Sequence, residues 1–90
     1  MARAHLLITG RVQGVGFRWF VRETAKELQV AGWVKNCTDG NVEIAAEGNQ
    51  EMLDELCRRV SHGPQGAEVT EVRHLETIDG ILDFPFVVRK

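Results

Sequence analysis

A β-prone apolar run, LLITGRV from Leu6 to Val12, passes through Gln13, Gly14, Val15 and Gly16 directly into a segment with apolar side chains at helical spacing: Phe17, Phe20, Val21, Ala25 and Leu28. A strand that turns through glycines into a helix N-terminus leaves several backbone N–H groups without partners, at the positive end of the helix dipole. Such a junction is an anion site before any side chain is considered. The glycines allow unusual dihedrals and let a ligand approach the backbone closely.

The arginines around this junction sharpen the expectation. Arg18 falls in the first turn of the predicted helix, where a cation is disfavoured by about 0.3–1 kcal/mol. Arg22 lies one turn further on, and like charges at that spacing repel. Arg11 flanks the loop on the strand side. Taken alone, Arg18 has two readings of equal weight. It either meets an anion in the loop, or it snorkels to solvent or pairs with Glu23 or another carboxylate. The glycine loop beside it favours the anion.

The rest of the sequence bounds the classes of partner. Ninety residues, 43% of them hydrophobic and 27% charged, make one small domain over residues 1–90 with a sufficient core. The net charge of −2 means that the molecule as a whole is no polyanion binder, so affinity for anions has to be local. The N-terminal apolar run is too short for a secretory signal and no stretch could span a bilayer, so the expected address is the cytoplasm, with no membrane partner. Cys37 and Cys57 match no zinc or redox spacing and are expected as free thiols, Cys57 in the core and Cys37 partly exposed. Neither has a histidine placed beside it by sequence, which a catalytic thiol would need.

In order, the pattern predicts a strand at His5–Val12, the loop Gln13–Gly16, a helix at Phe17–Leu28, a break at Gly32 and a strand from Gly32 to Cys37. Asp39-Gly40 then marks a hairpin into a strand at Val42–Glu47, with Val42, Ile44 and Ala46 on one face and Glu43, Ala45 and Glu47 on a solvated one. Asn49 is a good N-cap for a helix over Gln50–Val60. A loop through Gly63-Pro64 leads to a strand over Ala67–Thr77, and a last strand spans Phe84–Val88, with Phe84, Phe86 and Val88 on one face and Pro85 pointing to an edge. The order is β-α-β-β-α-β, with the last strand split in two. That order is an α+β, ferredoxin-like sandwich: one antiparallel sheet with two helices on one face, the first helix crossing between parallel neighbours. The fold hosts many activities and does not settle function.

In this topology Asn36, at the end of the second strand, approaches the Gln13–Arg18 loop. An uncharged amide beside an anion site can hold a water through its donor and acceptor without repelling a negative substrate. The residues alone equally allow, and slightly favour, Asn36 simply closing the hairpin with its side chain. His5, His62 and His74 have no ligand spacing and are expected at surface or partly packed positions. Trp19 is expected as a packed or half-exposed helix residue, although it could border the pocket. Asp39 reads as a turn residue.

Two stretches carry a family resemblance. Gly10 to Arg18, GRVQGVGFR, resembles the phosphate-binding signature of the acylphosphatases, and Gly32 to Val42, GWVKNCTDGNV, resembles their second signature. Gly63-Pro64 followed by Ala67 and Val69 is similar to the family's stretch after the second helix, and the family fold is the same βαββαβ sandwich. The resemblance implies a small freestanding, monomeric enzyme that hydrolyses acyl phosphates to a carboxylate and inorganic phosphate, without metal or other cofactor. It gives Arg18 the phosphoryl group. It makes Gln13, Gly14, Val15, Gly16, Phe17 and Arg18 the substrate loop, and it has Asn36 orient the attacking water. A leaving carboxylate with a pKa of about 4 needs no general acid, which accounts for the missing catalytic histidine or carboxylate pair. Phosphoryl transfer is mainly positioning plus charge stabilisation, and a guanidinium can meet two phosphate oxygens at once.

Other functions compatible with the strand order find less support. An RNA-binding module would carry base-stacking aromatics on the central strands, which here read HLLITGRV and VEIAAEG. A metal carrier would place paired cysteines in the first loop. A non-catalytic acyl-phosphate sensor, or a fragment of a larger carbamoyl-transfer enzyme, is disfavoured by a chain that ends just after the fifth strand.

Overall fold

The computed structural model describes residues 1–90. The elements are β1 (Ala2–Arg11), α1 (Phe17–Glu27), β2 (Ala31–Asn36), β3 (Val42–Gly48), α2 (Gln50–His62), β4 (Glu68–His74) and β5 (Val87–Arg89). They build a ferredoxin-like βαββαβ fold with one five-stranded sheet in the order β4-β1-β3-β2-β5. The first four strands pair antiparallel, whereas β5 joins β2 in parallel, pairing Val34 with Val88, so the sheet is mixed. The expected crossover between parallel neighbours is also modified: β1 and β2 run the same way, but β3 lies between them.

The core lies between the sheet and the two helices. Leu6 and Ile8 of β1, Val34 of β2 and Val42, Ile44 and Ala46 of β3 meet Phe17, Val21 and Ala25 of α1 and Leu53, Leu56 and Val60 of α2, all buried. The period-2 pattern of the strands and the 3.6-residue stripe of each helix are the local expression of this burial. Asn49 caps α2 as expected, its side chain accepting a hydrogen bond from the Met52 N–H at 2.9 Å.

The opposite face of the sheet is not bare. Residues 75–83 cross it without regular structure and are fastened by named bonds. The Leu75 N–H donates to the His5 carbonyl at 2.7 Å and the Gly32 N–H to the Asp83 carbonyl at 2.7 Å, and the Arg3 guanidinium reaches the carbonyls of Ile78 and Gly80. Trp33, only 6% exposed, packs with Ala45 and Leu82 under this strap. The strap changes the environment of the carboxylates expected on a solvated face. Glu47 pairs with Arg3 at 2.9 Å, and Glu43 meets the His5 Nε2 at 2.6 Å and Lys35 at 3.7 Å. His5 is thereby a packed residue.

Two boundaries differ from the sequence pattern for physical reasons. Gly32 does not break the chain before β2; the turn out of α1 falls at Gln29, at φ 57°, and Gly32 sits inside the strand at φ 141°. A Cβ there would stand 1.9 Å from the Ala45 carbonyl oxygen, so the glycine permits close backbone approach. At the C-terminus, β5 starts only at Val87, Phe86 is buried and Phe84 is exposed, so Phe84 and Phe86 do not share a face. Proline has no N–H for a ladder, and β5, which follows Pro85, is an edge strand as expected.

Candidate active site

The glycine loop and the start of α1 form the floor of the site. Gly14 and Gly16 adopt φ of 76° and 75°, and Gly16 is the N-cap of α1 in the left-handed region without any side-chain cap. The first helical bond runs from the Phe20 N–H to the Gly16 carbonyl at 3.0 Å. The N–H groups of Phe17, Arg18 and Trp19 therefore have no acceptor within the helix. The first turn contains no acidic residue. Unsatisfied donors, a dipole end and no intrinsic carboxylate together make a concave positive seat.

A cleft of about 380 Å³ opens over this seat, lined by Val12, Gln13, Gly14, Gly16, Phe17, Arg18, Trp19, Arg22, Asn36 and Val88. Arg18 and Asn36 therefore border the same cavity. They are brought together by strand alternation: Asn36 stands two residues beyond Val34 on β2 and shares its helix-bearing face, under the N-terminus of α1. The pairing of Arg18 with Glu23 is not formed. Glu23 is engaged by Arg22, at 3.2 Å from Nε and 3.1 Å from Nη2, and not by Arg18.

Asn36 does not close the hairpin. Its Oδ1 is buried without a hydrogen-bond partner. Asp39 does the closing, accepting from the Asn41 N–H at 3.1 Å and from its side-chain amide at 3.2 Å. A buried carbonyl oxygen left unpaired costs about 1–3 kcal/mol, so its retention at a cavity wall needs a reason.

The other loop residues divide by role. The Gln13 side chain donates from Nε2 to the carbonyl oxygens of Cys37 and Asn41, each at 2.9 Å. It thus ties the glycine loop to the β2–β3 hairpin, and its donor is committed to that hairpin. Phe17 is buried in the core, so what it offers the cleft is backbone. Val15 packs against the core and does not line the cleft, and Arg11 lies outside it as well.

Of the three arginines that the sequence places around the helix start, Arg18 and Arg22 line the cleft and Arg11 does not. Trp19, expected as packed or half exposed, is 62% exposed and borders the cleft. Val88 could not have been found locally, because only the pairing of β5 with β2 brings it to the cavity.

Both cysteines are free. Burial, followed by the charges of Glu43 and Asp39 and only partly offset by Lys35, pushes the Cys37 thiol above its ordinary pKa. Burial does the same for Cys57, helped by Asp54. Both shifts hold sulfur in the protonated, weakly nucleophilic form. No group of three or more His, Cys, Asp or Glu side chains gathers in metal-binding geometry, and no helix is long and apolar enough to cross a membrane.

Comparison with known proteins agrees with this geometry. The acylphosphatase family profile matches residues 4–84. An acylphosphatase of Bacillus licheniformis is 42% identical over 86 residues, covering 93% of this chain and 96% of that protein. The crystal structure of acylphosphatase from Bacillus subtilis superposes with a TM-score of 0.87 at 38% identity, over 100% of both chains. The crystal structure of T. kodakarensis HypF contains a region of the same fold, with a TM-score of 0.86 at 30% identity, covering 98% of this chain and 12% of that one. With a profile spanning nearly its whole length and relatives aligned end to end, the chain belongs to the acylphosphatase family and is an acylphosphatase enzyme.

Proposed function

We propose that the cleft hydrolyses acyl phosphates by in-line attack of water on phosphorus, with Arg18 and the amides of the Gln13–Arg18 loop holding the phosphoryl oxygens and Asn36 orienting the water. The observation that carries this reading is that Asn36 lines the same cavity as Arg18 while its Oδ1 has no partner within the protein. An acceptor in that place takes one proton of a water and aims a lone pair, and being uncharged it does not repel the phosphoryl group.

In the step, an oxygen of water bonds to phosphorus as the bond from phosphorus to the acyl oxygen breaks. The carboxylate leaves with the electron pair, and a proton of the water passes to a phosphoryl oxygen. A carboxylate with an ordinary pKa of about 4 leaves without an acid. The developing charge spreads over equatorial oxygens within reach of amides and a guanidinium that are already aimed, which is the largest lever available to a phosphoryl-transfer site. The cation is supplied by the chain, so the reaction needs no metal. Gln13 contributes by holding loop and hairpin in register. The site is built from one chain, residues 1–90 acting as one monomeric domain. The covered outer face of the sheet, with Trp33 buried, leaves no platform for stacking nucleic-acid bases.

The test is turnover of benzoyl phosphate in excess chelator. Activity should be unchanged by the chelator, inorganic phosphate should compete, and Arg18→Ala should lower kcat/KM by about 10²–10³-fold and abolish phosphate competition. Loss of turnover on chelation, or undiminished phosphate competition in Arg18→Ala, would overturn the reading.

A further inference from the structure

The cleft is larger than its anion seat. At about 380 Å³ it lies within the usual range for small-molecule sites, about 300–1,000 Å³, and exceeds what a phosphoryl group fills. Two of its walls are apolar and solvent-facing. Trp19, 62% exposed, follows Arg18 on α1, and Val88, 39% exposed, stands on β5. Val88 pairs in register with Val34, so both side chains project from the helix-bearing face of the sheet toward α1. Nothing in the packing of α1 demands an aromatic side chain at an exposed position. The hydrophobic stripe of this helix is already supplied by Phe17, Val21 and Ala25.

We propose that Trp19 and Val88 form the acyl-group subsite of the enzyme, and that they select aromatic or branched apolar acyl phosphates over small ones. The assignment rests on the phosphoryl group occupying the glycine-loop seat. An acyl phosphate anchored there has its carbon end left to lie along the remaining walls of the cleft, whose exposed apolar side chains are those of Trp19 and Val88. The one other cation on the wall, Arg22, pairs with Glu23 at 3.1 Å. The exposed part of the cleft beyond the seat is therefore matched to an apolar acyl group. An aromatic ring offset-stacked on indole gains affinity beyond its buried area.

The experiment compares kcat/KM for benzoyl phosphate and acetyl phosphate in the wild type, Trp19→Ala, Trp19→Phe and Val88→Thr, with the inhibition constant of inorganic phosphate measured for each. Trp19 and Val88 are solvent-facing, and circular dichroism checks that each variant is folded. The wild type should prefer benzoyl phosphate. Trp19→Ala should reduce that preference roughly three- to tenfold, Trp19→Phe should retain most of it, and Val88→Thr should reduce it less. The phosphate inhibition constant should stay within a factor of two of wild type throughout.

An unchanged benzoyl-to-acetyl ratio in Trp19→Ala, with phosphate still competing, overturns the subsite and leaves the seat standing. A rise in the phosphate inhibition constant equal to the loss on benzoyl phosphate also overturns it, since Trp19 would then be acting on the seat. Failure of phosphate to compete in the wild type overturns the seat, and the subsite with it.

Discussion

Gln13 donates one amide to two carbonyls, those of Cys37 and Asn41, at 2.9 Å each. Through these two hydrogen bonds the glycine loop is held against the hairpin that follows Asn36. In the proposed mechanism the relative placement of anion and water thus depends on a side chain that need not touch either. Removing it takes one of two donors from each carbonyl, which then keep only the backbone N–H of Gly40 (to Cys37) and of Cys37 (to Asn41). Gln13→Ala is expected to lower stability by about 1–3 kcal/mol in urea unfolding. It should lower kcat more than it raises KM, because the seat survives while its register with Asn36 loosens. A change confined to KM would show that the side chain binds substrate instead.

In the proposed mechanism Asn36 sets catalysis against stability. Its Oδ1 is buried and unpaired, so the fold gains nothing from it. Asn36→Ala is expected to lower kcat about 10²–10³-fold while leaving the urea midpoint no lower than that of the wild type. Asn36→Asp should be worse on kcat/KM at pH 7 than its shape suggests, since a carboxylate repels the phosphoryl group. Kinetics and urea titrations on the same preparations decide both points.

Gly16 separates strain from crowding. A Cβ at this position would meet nothing within 4 Å, yet φ is 75°. Gly16→Ala should therefore cost only the left-handed penalty, about 1–2 kcal/mol, and fold normally. Relieving that strain by rotating the N-cap misaims the first-turn amides, so the inhibition constant of inorganic phosphate should rise. Thermal unfolding and phosphate competition together test this pair of outcomes.

Glu55 provides a pH signature far from the site. Hydrogen bonds from Arg58 and then Arg59 hold its carboxylate down from the ordinary value to about 2. Arg59 also reaches Glu27 on α1 at 3.1 Å, so the cluster links the two helices. A depressed pKa means that the folded state binds fewer protons. The contribution is present above the ordinary carboxylate range and is lost as pH falls through about 4.5 towards 2. Glu55→Gln should flatten the acid limb of the stability profile in that window. Being solvent-exposed, the effect should shrink as salt is raised.

Much of this molecule was readable from neighbouring residues alone. The strand, glycine loop and helix of residues 6–28, the N-cap at Asn49 and the inward set Val42, Ile44 and Ala46 all follow from dihedral preference and side-chain periodicity, which act over a few residues. The positive seat was legible for the same reason, because glycines at a helix start expose amides whatever the rest of the chain does.

What the pattern could not settle depends on contacts between distant segments. The parallel pairing of β5 that brings Val88 to the cleft and the strap of residues 75–83 that buries Trp33 and engages Glu43 and Glu47 are decisions of packing. So is the tether from Gln13 to the hairpin. The sequence by itself determined the glycine turn into a helix start with free amides and arginines beside it. The strand order already brought Asn36 toward that loop; only the tertiary structure decided that its oxygen would be buried and unpaired, because burial and hydrogen-bond partnership belong to the three-dimensional neighbourhood and have no period along the chain.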